Sequence, residues 1–139
     1  MSTDIDPTLL EKAKKVIENA YAPYSNFRVA ALVATSDGHH YWGVNVENAS
    51  YGLTICAERI AIGAALTDGK KNISQVYVFV ESNQPVPPCG ACRQVITEFN
   101  PDAEIIACSL RTGICKRWRA KELLPEAFTL DYIPKSENA

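Results

Sequence analysis

Three cysteines and one glutamate are spaced as a metal-assisted hydrolytic site requires. They fall in two short stretches, Cys56-Ala57-Glu58 and Pro88-Cys89-Gly90-Ala91-Cys92. A Cys-x-x-Cys pair can clamp one metal ion, and a third Cys completes a set of three protein ligands. Three ligands leave the fourth tetrahedral position of a zinc ion for water, which separates a catalytic zinc from a closed structural one. Both stretches stand at expected helix starts, where exposed N–H groups and the positive end of the dipole stabilise thiolates. Three thiolates leave Zn²⁺ with one net negative charge, and Arg59 is the adjacent residue that can offset it. Glu58 lies two positions beyond Cys56, about 200° around a helix. Its carboxylate therefore need not follow the sulfur onto the metal and is free to move protons on the substrate side.

A Cys or His two residues before Glu, followed later by Pro-Cys-x-x-Cys, is the general pattern of zinc nucleoside and nucleobase deaminases. Here it is complete and in order. The competing reading is a closed four-cysteine zinc knuckle, with Cys108 or Cys115 as the fourth ligand; it leaves Glu58 without a role.

The elements that must position these residues are readable from periodicity. Leu9, Leu10, Ala13, Val16, Ile17 and Ala20 recur at helical spacing, predicting an amphipathic helix over 8–22 with Thr8 and Glu11 as a capping box behind Pro7. Strands are expected over 28–35 and 39–46, joined as a hairpin by the turn Ser36-Asp37-Gly38. A loop over 48–54 leads to a second helix from Cys56 to Asp68, with Gly69 closing it. A third strand, 74–81, carries Val76, Val78 and Val80 on one face and Tyr77 and Phe79 on the other. The proline-rich loop 83–88 precedes a helix over 90–99. Strands at 104–109 and 114–120 and a short turn at 121–124 follow, and the tail after Pro134 is expected to fray. The pattern is an α/β domain: a central mixed five-stranded sheet flanked by helices in an α-β-α layering, forming one domain over 1–139.

The bulk properties narrow the function class. The 139 residues are 47% hydrophobic and 22% charged, with a net charge of −2. That is enough chain for one real core, and it offers no electrostatic footprint for nucleic acid. No apolar run approaches the ~18 residues of a membrane span. Met1 to Asp6 is polar and acidic, unlike a secretory signal or transit peptide, so the cytoplasm is expected. There the thiols are expected as metal ligands or buried apolar groups rather than disulfides, with Cys108 and Cys115 packing as small hydrophobes. His39-His40 alternate faces of a hairpin and are read as surface residues. Lys116-Arg117-Trp118-Arg119 is read as a solvated edge strand.

Over nearly its whole length the chain resembles the small, single-domain cytidine deaminases. The resemblance rests on Tyr21-Ala-Pro-Tyr-Ser-Asn-Phe27, Asn45-Val-Glu-Asn-Ala49, Ile55-Cys-Ala-Glu-Arg59, Pro88-Cys-Gly-Ala-Cys-Arg-Gln-Val95 and Leu123-Leu-Pro-Glu-Ala-Phe128. It implies zinc-dependent hydrolysis of cytidine and deoxycytidine to uridine and deoxyuridine in pyrimidine salvage, with one Zn²⁺ per subunit held by Cys56, Cys89 and Cys92. It also implies that Asn45 and Glu47 hydrogen-bond the ribose and that Phe27 packs near the pyrimidine. The same resemblance implies that Tyr51 falls near a shared site, that Phe128 reaches a neighbouring subunit's site and that the assembly is a homotetramer. In the mechanism this implies, Glu58 takes a proton from the attacking water, delivers it to N3 and helps protonate the leaving amino group, while the Ala57 N–H supports developing charge.

Two departures from the family pattern stand out. Val29-Ala30-Ala31-Leu32 replaces the usual Val-Gly-Ala-Ala, and Pro87 replaces a usual Ser before Pro-Cys. The nearest rival substrate is an aminonucleoside such as blasticidin S, whose deaminases lack the Asn-Val-Glu-Asn-Ala run. A deaminase of bases within RNA or DNA would need a basic groove. A non-catalytic zinc module would make Glu58 dispensable.

Overall fold

In the computed structural model, which describes residues 5–134, five strands form one sheet in the order β2-β1-β3-β4-β5. The strands are β1 (Val29–Thr35), β2 (His40–Val44), β3 (Ile73–Val80), β4 (Glu104–Ser109) and β5 (Cys115–Arg119). The helices are α1 (Pro7–Val16), α2 (Ala57–Thr67), α3 (Gly90–Phe99) and the single turn α4 (Ala120–Leu123). The expected α/β architecture with a mixed sheet is what the chain forms. The expectations for Met1–Asp4 and for the tail beyond Pro134 lie outside the described residues.

The strand directions explain where the chemistry must be. β1 is antiparallel to both β2 and β3, so β2 and β3 run the same way, and β4 is parallel to β3. Helix α2 connects β2 to β3, and α3 connects β3 to β4. Each is a crossover between parallel strands, so each helix begins at the same end of the sheet. Cys56 and Cys89 are the N-caps of these two helices. Chain positions 33 residues apart are thereby brought to one edge.

Alternation of side chains separates two cores. Ala31, Val33, Val76 and Ile105 face α2 and α3, where they pack with Ala57, Ala61, Ile62, Ala65 and Ile96. Ala30, Leu32, Tyr77 and Phe79 face α1 and pack with Ala13 and Ile17. The expected division of β3 into valine and aromatic faces is therefore what separates the two layers. Phe79 stacks between Trp42 and Tyr77, with ring centroids 5.8 and 5.9 Å away. The departing hairpin residues Ala30 and Leu32 and the Ala31 between them are fully buried, so both faces of β1 lie in core.

Gly43 sets the distance between β2 and α2. A Cβ built there would stand 2.5 Å from the Ala57 carbonyl oxygen and 2.6 Å from the Ala61 nitrogen. Only glycine allows the helix that carries Cys56 and Glu58 to lie this close to the sheet. Gly69, at φ +80°, turns the chain out of α2 as expected, with Lys70 N–H donating to the Ala65 carbonyl at 2.9 Å.

Some boundaries differ from the sequence reading. The first helix is capped by Asp6, whose carboxylate accepts the Thr8 N–H at 2.9 Å, and not by a Thr8–Glu11 box. Pro7 takes the first helical position, where its missing N–H costs nothing. The helix tightens into a 3₁₀ turn at Ile17–Asn19 and stops before Ala22. The loop before Cys56 also contains a 3₁₀ turn, Tyr51–Leu53.

Cys108 and Cys115 correct a second expectation. They are register partners across β4 and β5, with Cα atoms 4.2 Å apart, and their sulfurs form a disulfide. Both are fully buried, as expected, but they are bonded rather than free. Neither supplies a fourth thiolate to the Cys56 cluster, so the closed knuckle fails. β5 is the sheet edge, and its exposed Lys116 and Arg117 suit that place.

Candidate active site

Among the described residues, Cys56, Cys89 and Cys92 form a cluster whose sulfurs all lie within 4.8 Å of one another. The Cys56 and Cys89 sulfurs are 3.8 Å apart. Zn–S bonds of about 2.3 Å at tetrahedral angles would put sulfurs about 3.8 Å apart, so the donor set fits zinc in spacing and in softness. Three sulfurs this close compete for protons, a conflict that a divalent cation relieves. The Cys56 thiol is drawn down to about 5, chiefly by the hydrogen bond from Cys92 and then by Arg59, while burial opposes the shift. Cys92 is pushed up in turn by its Cys56 partner and by its own burial.

Arg59 approaches the cluster from the first turn of α2. Its guanidinium donates to the Cys56 sulfur at 3.6 Å. Its Nε is buried without a protein acceptor. Arg93, immediately after Cys92, braces the other side. Its Nε donates to the Pro88 carbonyl at 2.8 Å and its Nη1 to the Leu123 carbonyl at 3.0 Å.

Beside the cluster is a cavity of about 270 Å³ whose lining includes Phe27, Asn45, Glu47, Cys56, Ala57, Glu58 and Cys89. The structure thus brings together two of the expected ligands, the expected acid–base residue and four of the six expected substrate residues. Val78, Val80, Val86 and Pro87 make the apolar part of its wall, which puts the departing residue Pro87 at the site itself. Glu58 is only 4% exposed, and burial pushes its carboxyl up from the ordinary value; the negative charge of Cys56 adds to this. A carboxyl with a raised pKa is suited to taking and returning a proton near neutrality.

Asn45 and Glu47 each hold the loop that carries Phe27. The Asn45 amide donates to the Phe27 carbonyl at 2.9 Å, and its oxygen accepts the Val29 N–H at 2.9 Å. Glu47 accepts the Tyr24 and Ser25 N–H groups at 3.0 and 3.1 Å and the Ser25 hydroxyl as well. These donors keep the Glu47 carboxyl below the ordinary carboxylate range, the Ser25 hydroxyl contributing most. Sequence reasoning gave Ser25 no role. The clue was its place in the Tyr-Ser-x-Phe stretch, but the partner is 22 positions away.

Tyr51 and Phe128 are not in the main cavity. Tyr51 lines an adjoining cleft with Tyr24, Ser25, Glu47 and Thr54, and its ring stands edge-on to Tyr24 at 6.3 Å. Phe128 is 56% exposed, and its carbonyl accepts from the Gln94 side chain at 2.9 Å. The C-terminal segment is therefore tied to α3 by consecutive residues, Arg93 and Gln94. A groove of about 340 Å³ between Lys14, Arg28 and Arg111 lies elsewhere. It holds no thiol, and its Arg28 is already paired with Glu81 through two contacts of 2.9 and 2.6 Å.

The chain's similarities to known proteins agree with this geometry. Residues 3–108 match the family model described as the cytidine and deoxycytidylate deaminase zinc-binding region. The chain is 44% identical to a cytidine deaminase of Halalkalibacterium halodurans over 124 residues, 88% of this chain and 93% of that protein. It superimposes on the crystal structure of a cytidine deaminase from Burkholderia pseudomallei with a TM-score of 0.81 at 46% identity, covering 87% of this chain and 97% of that one. For the cytidine deaminase of Mycobacterium tuberculosis the TM-score is 0.74 at 34% identity, covering 91% of this chain and 100% of that one.

Proposed function

The chain belongs to the cytidine and deoxycytidylate deaminase family and is a zinc-dependent hydrolase that deaminates cytidine; from that premise we propose the role of each residue at the site and deoxycytidine as a second substrate. The aminonucleoside alternative is not favoured, because the relatives that match along most of the chain are cytidine deaminases. The observation that carries the reading is a buried carboxyl, Glu58, opening into the same cavity as Cys56 and Cys89.

Cys56, Cys89 and Cys92 hold one zinc ion. When bound, zinc supplies the Lewis acidity that makes water nucleophilic at neutral pH. Glu58 takes one proton from the attacking water as its oxygen adds to C4 of the cytosine ring, and delivers the proton to N3. Glu58 then passes the second proton to the amino nitrogen. The C4–N bond breaks, ammonia leaves, and the added oxygen remains as the uracil carbonyl. The Ala57 N–H, at the open first turn of α2, faces developing negative charge. Arg59 offsets the surplus charge of the thiolates and so preserves the acidity of the metal. Phe27 presents an aromatic face to the base, and Glu47 and Asn45 receive sugar hydroxyls.

We further place the enzyme in the cytoplasm, where the free thiols of Cys56, Cys89 and Cys92 would stay available to zinc although Cys108 and Cys115 are bonded, and in a homotetramer that shares its sites. Tyr51, Leu53 and Leu130 are 77%, 65% and 78% exposed, apolar surface that a neighbouring chain would cover. Phe128 is the residue such a neighbour would supply, and Tyr51 lines the shared edge.

The test is to follow the ultraviolet change as purified, zinc-replete protein meets cytidine and, separately, deoxycytidine. Turnover of both is expected. Turnover of cytidine alone would remove deoxycytidine from the proposal.

A further inference from the structure

Ser25 stands between the two parts of the site that recognise different halves of the substrate. Its hydroxyl donates to Glu47 Oε2, and the Ser25 Oγ itself accepts the Phe27 N–H at 3.0 Å. Its own N–H and that of Tyr24 donate to Glu47 Oε1. A carboxylate offers about four acceptor sites. Three are occupied within this turn, which leaves about one for a ligand and fixes its direction. Asn45 is similarly committed: it grips the Phe27 carbonyl and the Val29 N–H, so both polar ends of the Phe27 peptide environment are held. Between these anchors Asn26 adopts φ +57°, a left-handed conformation that Asn tolerates better than most residues.

We propose that Ser25 is a positioning residue that locks the Glu47 carboxylate to the Phe27 backbone, so that sugar and base are recognised by one hydrogen-bonded unit. The inference rests on the reading of Glu47 as the sugar-binding carboxylate. Without the hydroxyl, Glu47 Oε2 loses its partner and can rotate, and the Phe27 N–H loses its acceptor. The remaining site on Glu47 is then no longer aimed. Sugar hydroxyls should lose binding strength equally in the ground and transition states, which raises KM and leaves kcat in place.

The test compares the wild type with Ser25→Ala, Ser25→Thr, Glu47→Gln and the Ser25→Ala/Glu47→Gln double variant, all zinc-replete. The readouts are kcat and KM for cytidine, and competitive inhibition constants for uridine and for 2′,3′-dideoxyuridine. Ser25→Ala is expected to weaken uridine about tenfold and dideoxyuridine less than about threefold, with kcat changed less than about threefold. Ser25→Thr keeps the hydroxyl and should return uridine to within about twofold of wild type. In the Glu47→Gln background, Ser25→Ala should add less than about a further twofold, because the two residues act as a unit. If Glu47→Gln loses the preference for uridine over dideoxyuridine while Ser25→Ala keeps it, the Ser25 proposal is wrong and the sugar reading stands. If Glu47→Gln keeps that preference, the sugar reading fails and this inference with it. Equal weakening of both ligands by Ser25→Ala would mean general damage to the loop and would also overturn the proposal.

Discussion

Gly43 and Ala57 are in contact across β2 and α2 so tight that the Ala57 carbonyl occupies the place a Cβ on residue 43 would need. The contact is backbone on backbone, so no flexible side chain can yield. Helix α2 must move if residue 43 gains a methyl group, and Cys56 and Glu58 move with it. Gly43→Ala is expected to cost about 2 kcal/mol of stability, to lower the melting temperature by several degrees and to weaken zinc retention. Calorimetry and competition against a chelator of known affinity measure both effects. A variant with wild-type melting and zinc affinity would mean that α2 is not seated by this contact.

Replacing Glu58 by Gln keeps the size of the side chain and removes its proton chemistry. Turnover should fall by roughly 10²-fold to 10⁴-fold or more, while the zinc content stays at one per chain. The absorbance assay and metal analysis of the same sample separate the two properties. Removing zinc from the wild type should abolish turnover, and adding it back should restore it.

Arg93 links the Pro88 carbonyl, beside Cys89, to the Leu123 carbonyl. Charged donors at such contacts contribute about 1.5–3 kcal/mol. Arg93→Ala should weaken zinc binding about tenfold or more, so its activity should collapse under a chelator concentration that the wild type survives. At saturating zinc most of the activity should return.

The proposed sharing of sites between chains predicts complementation. A Phe128→Ala assembly lacks the contributed ring, and a Glu58→Gln assembly lacks the proton carrier. Dissociating and reassembling the two together creates sites with an intact Glu58 from one chain and an intact Phe128 from another. Activity should rise above the sum of the separate variants. No gain after verified mixing would place Phe128 in its own chain's site, or outside the site altogether.

Stability should depend on pH through Asp37. Its carboxylate is held by Lys70, Thr35 and Asn72, with Lys70 the largest influence, so its folded pKa is lowered from the ordinary 3.8. A lowered folded pKa means that the stabilisation is complete above the unfolded value and is lost as pH falls through the folded one. The melting temperature of Asp37→Asn should therefore fall short of wild type at pH 6 to 7, and the gap should narrow as pH drops below about 4. A gap that stays constant with pH would show that the charge of Asp37 is not what stabilises this turn.

Local chemistry was legible in the sequence where it depends on neighbours along the chain. The bounds of α3 and β4 are those expected from periodicity, and Cys56 and Cys89 cap their helices because thiol and helix start are adjacent. Features that depend on register or on distant partners were not legible. The Cys108–Cys115 bond follows from which residues of β4 and β5 stand opposite, and single-strand patterns do not specify that pairing. Asp6 displaced the Thr8 cap because Pro7 prefers the first helical position, a local rule that the Thr8–Glu11 spacing obscured. Ser25 acquires its role only once β2 and its extension bring Glu47 back to the loop at 24–27.

The strand order also sets a schedule for synthesis. The three sulfurs are all contained in the first 92 positions, and so are β2, β1 and β3, the strands beneath the site. Of the last two strands, β4 joins the opposite edge of β3 and β5 joins β4. On a ribosome, a chain emerging from its amino end would present every metal ligand before β4 and β5 exist. Zinc capture could then precede completion of the sheet, and the ion would act as a clasp on a half-made protein while the remaining edge is still being translated.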